Sequence, residues 1–195
     1  MNQLLLATRN KGKIKEIQAL LSGASFTIVS VLDYPEISEV IEDGATLEAN
    51  ALLKARTVFN QTHIPTIADD SGLEVYALEM APGVYSARYA GENVSYEDNN
   101  RKLLKELHHF PPEKRGARFR CVVAFVSEEG EHVFEGICEG TILQELRGTN
   151  GFGYDPLFVP NGYNLTFAEL SLEIKNHISH RAKALNSLKK QLLTF

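Results

Sequence analysis

Four groups of residues have side chains of a type and spacing that could do chemistry. The segment "IADDSGLEV" at positions 67–75 sets Asp69 and Asp70 side by side after an apolar run. A buried carboxylate without a partner is costly, so acids placed there either reach water or hold something cationic. Glu42 and Asp43, just ahead of Gly44, add two more. An oxygen-only donor set with no Cys/His group beside it points to a hard ion, Mg2+, which keeps waters and needs only one or two carboxylates. The plain alternative is an Asx-type turn at "DDSG". Neighbouring side chains on a strand face opposite ways, so Asp69 and Asp70 cannot share a pocket if the strand runs to its end.

The second group is "TRNKGK" at positions 8–13, where Arg9, Lys11 and Lys13 gather between a strand and a helix. Free N–H groups at a helix start, added to those charges, suit phosphate. A solvated basic turn is the alternative. The spacing is not that of a P-loop, and Ile14 stands where the hydroxyl would be. The third group, "GTNGFGYDP" at 148–156, sets Phe152 and Tyr154 among three glycines and a proline. Such backbone can bring aromatic rings close to a planar ligand, or the rings can simply plug a turn. A dinucleotide fingerprint fails, because Pro156 prevents the helix it needs. The fourth, "KNHISHR" at 175–181, offers Lys175, His180 and Arg181 as donors at a helix start, or only polar decoration of it. His177 and His180 lack the further His or Cys that zinc requires.

The elements that must position these groups follow from hydropathy. "QLLLAT" and "FTIVSV" are apolar runs of strand length, and "TIADD" is a third strand ending on its acids. Ile14, Ile17 and Leu21 mark one helix face, and "YPEISEVIEDG" reads as a loop or extended edge. Thr46 caps a helix running to about Asn60. Ser95 opens another in capping-box fashion, ended by Pro111-Pro112. From Ala117 onward, Phe119, Cys121, Val123 and Phe125 alternate with Arg118, Arg120, Val122 and Ala124 toward a hairpin turn at "EEGE". Leu185, Leu188 and Leu192 lie on a closing helix that extends to Leu193. Strands alternating with helices early and a hairpin late predict an α/β domain with a mixed sheet.

With 195 residues, the chain is expected to form one domain, 1–195, with a core that needs no disulfide or structural metal. Cys121 and Cys138 lie in apolar segments without a CxxC, which suits a reducing, cytoplasmic setting. The opening apolar run is too short for a secretory leader, and no stretch approaches a membrane span. A net charge of −5 argues against a nucleic-acid surface while leaving room for a small anion in a locally positive pocket.

Taken in order, "LLLATRNKGKIKEI", "EANALLKAR", "IADDSGLEV", "APGVYSARYAG", "GTNGFGYDPLF" and "ISHRAKAL" resemble the inosine triphosphate pyrophosphatase family from residue 4 to residue 188. The resemblance implies an elongated mixed β-sheet flanked by helices, two lobes around a cleft, and a homodimer. It implies Mg2+-dependent hydrolysis of ITP, dITP and XTP, purine triphosphates outside the standard set, to the monophosphate and pyrophosphate. On the matching positions, Thr8, Arg9, Asn10, Lys11, Gly12 and Lys13 would hold the triphosphate, with Lys54 adding a contact. Glu42 and Asp70 would bind the metal, Asp70 would also accept the proton from water, and Ser71 would touch the substrate. Phe152, Gly153, Tyr154 and Asp155 would line the base pocket, and Lys175, His180 and Arg181 would read the purine edge.

Three rival readings are weaker. A Maf-type pyrophosphatase is disfavoured by "GFGYDP" and "SHR". A triphosphate sensor without hydrolysis gains nothing from extra carboxylates. Single-strand nucleic-acid binding conflicts with the acidic balance.

Overall fold

The computed structural model describes residues 3–23 and 26–192. Six strands form one sheet: β1 (Gln3–Leu6), β2 (Thr27–Ser30), β3 (Thr66–Val75), β4 (Gly116–Ser127), β5 (Gly130–Ile142) and β6 (Phe158–Pro160). Their order is β2-β1-β3-β4-β5-β6. β1 runs parallel to β2 and β3, while β5 and β6 are antiparallel, so the sheet is mixed as expected. The helices are α1 (Lys11–Leu20), α2 (Leu47–Thr62), α3 (Tyr96–Glu106), α4 (Leu172–Ile178) and α5 (His180–Leu192).

The described residues fall into two compact units that exchange chain repeatedly. One holds the described residues up to Asp70, then Cys121–Gly136, then those from Arg181 onward; the other holds Ser71–Arg120 and Ile137–His180. β3, β4 and β5 each contribute residues to both.

In the first unit, Leu4, Leu5 and Leu6 are all fully buried, which means both faces of β1 are covered, as in a parallel sheet between helices. Leu4, Leu6 and Ile67 pack with Ile17 and Leu21 of the α1 region and with Ala184, Leu185 and Leu188 of α5. Cys121, Val123 and Phe125 join that core, which confirms the alternation read along β4. Asn10 caps α1 by accepting from Gly12 N and Lys13 N, and Thr46 caps α2 by accepting from Ala49 N. Each cap satisfies donors that a helix start leaves without an internal partner.

The second unit closes around Leu73, Val75, Phe119, Leu157, Phe158 and Phe167. Arg115 lies beneath it with Nε on Ile142 O at 2.8 Å, Nη1 on Leu107 O at 2.6 Å and Nη2 on Leu143 O at 2.6 Å. Ser95 and Asp98 form the expected capping box of α3.

Three expected elements are corrected and one is added. β3 does not end on its acids but continues through Ser71-Gly72 to Val75, because Leu73 and Val75 carry the burial onward into the second core. "DDSG" is therefore strand and no Asx turn. Gly72 lets the backbone of Gly83 come close: a Cβ there would lie 2.2 Å from Gly83 O. α3 stops at Glu106, ahead of the prolines. α4 is a separate helix, capped by Ser171 and ended at Ser179, so "KNHISHR" spans the end of one helix and the start of the last. β6 is a strand of three residues, too short for a hydropathy pattern. Leu193 lies outside the described residues.

Candidate active site

α1, α2, β3 and α5 of the first unit bring ionisable side chains together. Alternation along β3 sends Asp69 and Asp70 to opposite faces, and the two acids meet different company. Asp69, 1% exposed, accepts on Oδ2 from Arg181 Nε at 3.1 Å and Nη2 at 3.0 Å, and pairs with Lys13 Nζ at 3.1 Å. Arg181, itself 2% exposed, donates from Nη1 to Glu16 Oε2 on α1. Burial works to raise the Asp69 carboxyl, but the charges of Lys13, Arg181 and Lys54 outweigh it and hold it well below the usual carboxylate range. Burial likewise disfavours the Arg181 charge, and the Asp69 and Glu16 carboxylates more than restore it.

Asp70 looks toward α2. Its Oδ2 accepts from Asn50 Nδ2 at 3.0 Å, and Lys54 Nζ stands 3.9 Å from Oδ1. The same Nζ lies 3.0 Å from Glu42 Oε2 and donates to the Asp69 carbonyl at 2.7 Å. Burial pushes the Asp70 carboxyl above its ordinary value and Glu42 adds to the push, against the pull of Lys54, Lys13 and Asn50. Asn50 and Lys54 are one helical turn apart, so a single face of α2 serves both jobs. Asp43 is exposed, which leaves Glu42 as the acid of "IEDG" that faces the cluster.

The loop ahead of α1 completes the group. Thr8 Oγ1 accepts from Asn10 N at 3.3 Å, and the Arg9 guanidinium donates to the Ile37 carbonyl while remaining exposed. Lys11 is exposed, and Gly12 N is held by Asn10 Oδ1 at 2.9 Å.

In the second unit the glycine-rich loop folds around Asp155, which is 3% exposed. Asp155 Oδ2 accepts from Phe152 N at 2.9 Å and from Lys175 Nζ at 2.5 Å. Gly151, at φ +75°, leaves the room this carboxylate needs: a Cβ there would sit 2.0 Å from Oδ2. Lys175 Nζ also lies 5.1 Å from the centre of the Phe152 ring. Tyr96 of α3 stands 6.2 Å from that ring, and Asn100 Nδ2 donates to Gly153 O at 3.0 Å. Tyr154 is buried and donates to Ser86 O at 2.9 Å. His180 stacks on Phe119 at 4.7 Å with planes 12° apart. Ser71 is half-buried on β3.

The expected residues therefore gather in two sets. Lys13, Glu42, Lys54 and Asp70 form one, beside Asp69. Phe152, Asp155 and Lys175 form another. Arg181, expected among the base-reading donors, has Nε, Nη1 and Nη2 taken up by Asp69 and Glu16. Sequence reasoning missed Asn50 and Glu16. The available signal was helical spacing: Asn50 lies four residues before Lys54, and Glu16 three after Lys13.

Paired acids on a strand of a mixed sheet, met by lysines from two helices and by an arginine, make a densely charged site in an α/β protein, with cations of the kind that pair with oxyanions. The chain belongs to the Ham1 family, whose sequence pattern matches residues 4–191. It is 54% identical to a dITP/XTP pyrophosphatase of Geobacter sulfurreducens over 98% of this chain and 97% of that one. It is 48% identical to a dITP/XTP pyrophosphatase of Listeria monocytogenes over 99% of this chain and 96% of that one. Among solved structures, a Ham1 protein from Coxiella burnetii superposes with a TM-score of 0.90 at 39% identity, covering 100% of both chains. The Staphylococcus aureus Ham1 protein gives 0.87 at 39% identity over 99% of both.

Proposed function

We propose that the protein is a Mg2+-dependent nucleoside triphosphate pyrophosphatase. It hydrolyses ITP, dITP and XTP to the monophosphate and pyrophosphate, removing them from the nucleotide pool. The observation that carries this reading is the Lys54 ammonium, which faces both Glu42 and Asp70. Two carboxylates converging on one cation also fit a hard divalent ion, since the donors are all oxygen. Glu42 and Asp70 would hold the ion, which when bound neutralises phosphate charge.

The chain's own side chains supply the rest. Lys13, Lys54, Arg9, Lys11 and the start of α1 balance the triphosphate, and Thr8, Asn10 and Gly12 shape the loop that receives it. Ser71 adds a polar contact. Asp70 accepts the proton of the attacking water. Attack at the innermost phosphorus then expels pyrophosphate. Arg181 and Glu16 keep Asp69 fixed and ionised at the back of the strand.

Base reading falls to the glycine-rich loop around Asp155. Phe152 offers a stacking face, held by Gly153, Tyr154 and Asp155, and Lys175 and His180 present donors. Donors suit the six-position oxygen of hypoxanthine and xanthine, whereas adenine would set its amino group against them. A mismatch of that kind costs about 1–3 kcal/mol per unpaired buried group. Among the described residues no helix is long and apolar enough to cross a membrane. A cytoplasmic homodimer completes the reading.

The direct test is product analysis with a panel of triphosphates, with and without Mg2+. Pyrophosphate from ITP and XTP supports the reading; orthophosphate alone, or equal use of ATP, sinks it.

A further inference from the structure

Asn50 is 1% exposed in the first turn of α2, yet both ends of its amide are used. Oδ1 accepts from Gly44 N at 2.8 Å, and Nδ2 donates to Asp70 Oδ2 at 3.0 Å. The orientation follows from chemistry: a backbone N–H can only donate and a carboxylate oxygen can only accept, so the amide has one way round. Gly44 stands two residues after Glu42, and the loop backbone presses so close that a Cβ on Gly44 would lie 2.5 Å from Asn50 Oδ1. One turn along α2, Lys54 faces Glu42 and Asp70. A single helix face thus touches both acids and the loop that carries one of them.

We propose that Asn50 is a positioning residue that locks the Glu42–Gly44 loop to Asp70, presetting the separation of the two carboxylates that receive the divalent cation. The inference rests on the proposed function for its cation. Lys54 also draws these acids together, but its charge competes with an incoming ion. Asn50 is neutral, so its two hydrogen bonds can persist when the ion arrives. An aspartate at this position would face Asp70 with like charge and offer no proton to it, although its shape is the same.

The test compares Asn50→Ala, Asn50→Asp, Gly44→Ala and the Asn50→Ala/Gly44→Ala double variant with the wild type. The first readout is the Mg2+-induced rise in Tm of the substrate-free protein, which needs no turnover. The Asn50 variants should require about 10- to 100-fold more Mg2+ for the same rise, the range expected for groups that orient metal ligands. The second readout is pyrophosphate release, where kcat should fall with the Mg2+ requirement while KM at saturating Mg2+ changes little. Gly44→Ala reaches the joint from the loop side, so it remains informative if Asn50→Ala does not fold. The double variant should lose no more than the worse single one, because both break a single link. Equal Mg2+ shifts in wild type and Asn50→Asp, or losses that multiply in the double variant, overturn the joint alone. A wild type that shows no Mg2+ shift overturns both the joint and the metal reading beneath it. A wild type that shifts but releases no pyrophosphate overturns only the proposed reaction.

Discussion

Asp69 and Asp70 are adjacent on β3, yet the first is held by Lys13 at 3.1 Å and Arg181 at 3.0 Å, while the second takes Asn50 at 3.0 Å. One carboxylate is tied to two cations; the other is the one proposed above for the chemistry. Isosteric changes should separate the two. Asp70→Asn should fold with near-native Tm and lose at least ~100-fold in turnover, the low end for a general base. Asp69→Asn takes the counter-charge from half-buried Lys13, leaves buried Arg181 with Glu16 alone, and should lose about 3–5 kcal/mol of stability. Thermal denaturation beside ITP turnover checks both, and a stable, active Asp69→Asn would show the pair to be dispensable.

Acid should act through Asp69. Its carboxyl is depressed in the folded protein, so its contribution to stability is complete above the unfolded value of about 3.9 and is lost as pH falls through the lower folded value. Glu131 and Glu169 shift the same way, while Asp70, raised by burial, works against them. The net expectation is a fall in stability below about pH 4. Urea denaturation at pH steps from 7 to 3 measures it, and stability that rises across that interval contradicts the assignment.

The legibility of the chain in its sequence tracks how local each signal is. Strands β1 and β2, the caps at Thr46 and Ser95, and the alternation of β4 depend on neighbours in the chain, and residue type and hydropathy show them. β3 was harder. Ser71-Gly72 has the composition of a turn, and only packing at Leu73 and Val75 carries the strand onward. The acids were legible as a cluster, but the partners that distinguish them were not. Asn50 reaches Asp70 across 20 positions, Arg181 reaches Asp69 across 112, and Glu16 reaches Arg181 across 165, separations at which no spacing rule names the partner.

The loop around Phe152 should govern which base is accepted. Phe152 N–H and Lys175 both rest on Asp155, and the ring lies 5.1 Å from the ammonium. Phe152→Ala removes a stacking face worth about 1–3 kcal/mol per base. KM for ITP should rise by about 5- to 150-fold, the equivalent of that energy, with kcat changed less. Steady-state kinetics with ITP and ATP test this, and an unchanged KM would detach the ring from base binding.

Glu42 and Asp43 provide the sharpest test of the cation, because they are adjacent, alike in charge, and differently placed. Glu42 Oε2 is 3.0 Å from Lys54 Nζ, whereas Asp43 is exposed. If the ion is held by Glu42 and Asp70, EDTA should reduce turnover to background and Mg2+ should restore it. Glu42→Gln should then raise the Mg2+ concentration for half-maximal rate, since a neutral amide oxygen is a poorer ligand for a hard ion than a carboxylate. Asp43→Asn should leave that concentration unmoved. Mg2+ titrations of the three proteins at fixed ITP decide the matter. A requirement that follows Asp43 in place of Glu42 would transfer the ligand to its neighbour, and full activity in EDTA would remove the ion from the reaction.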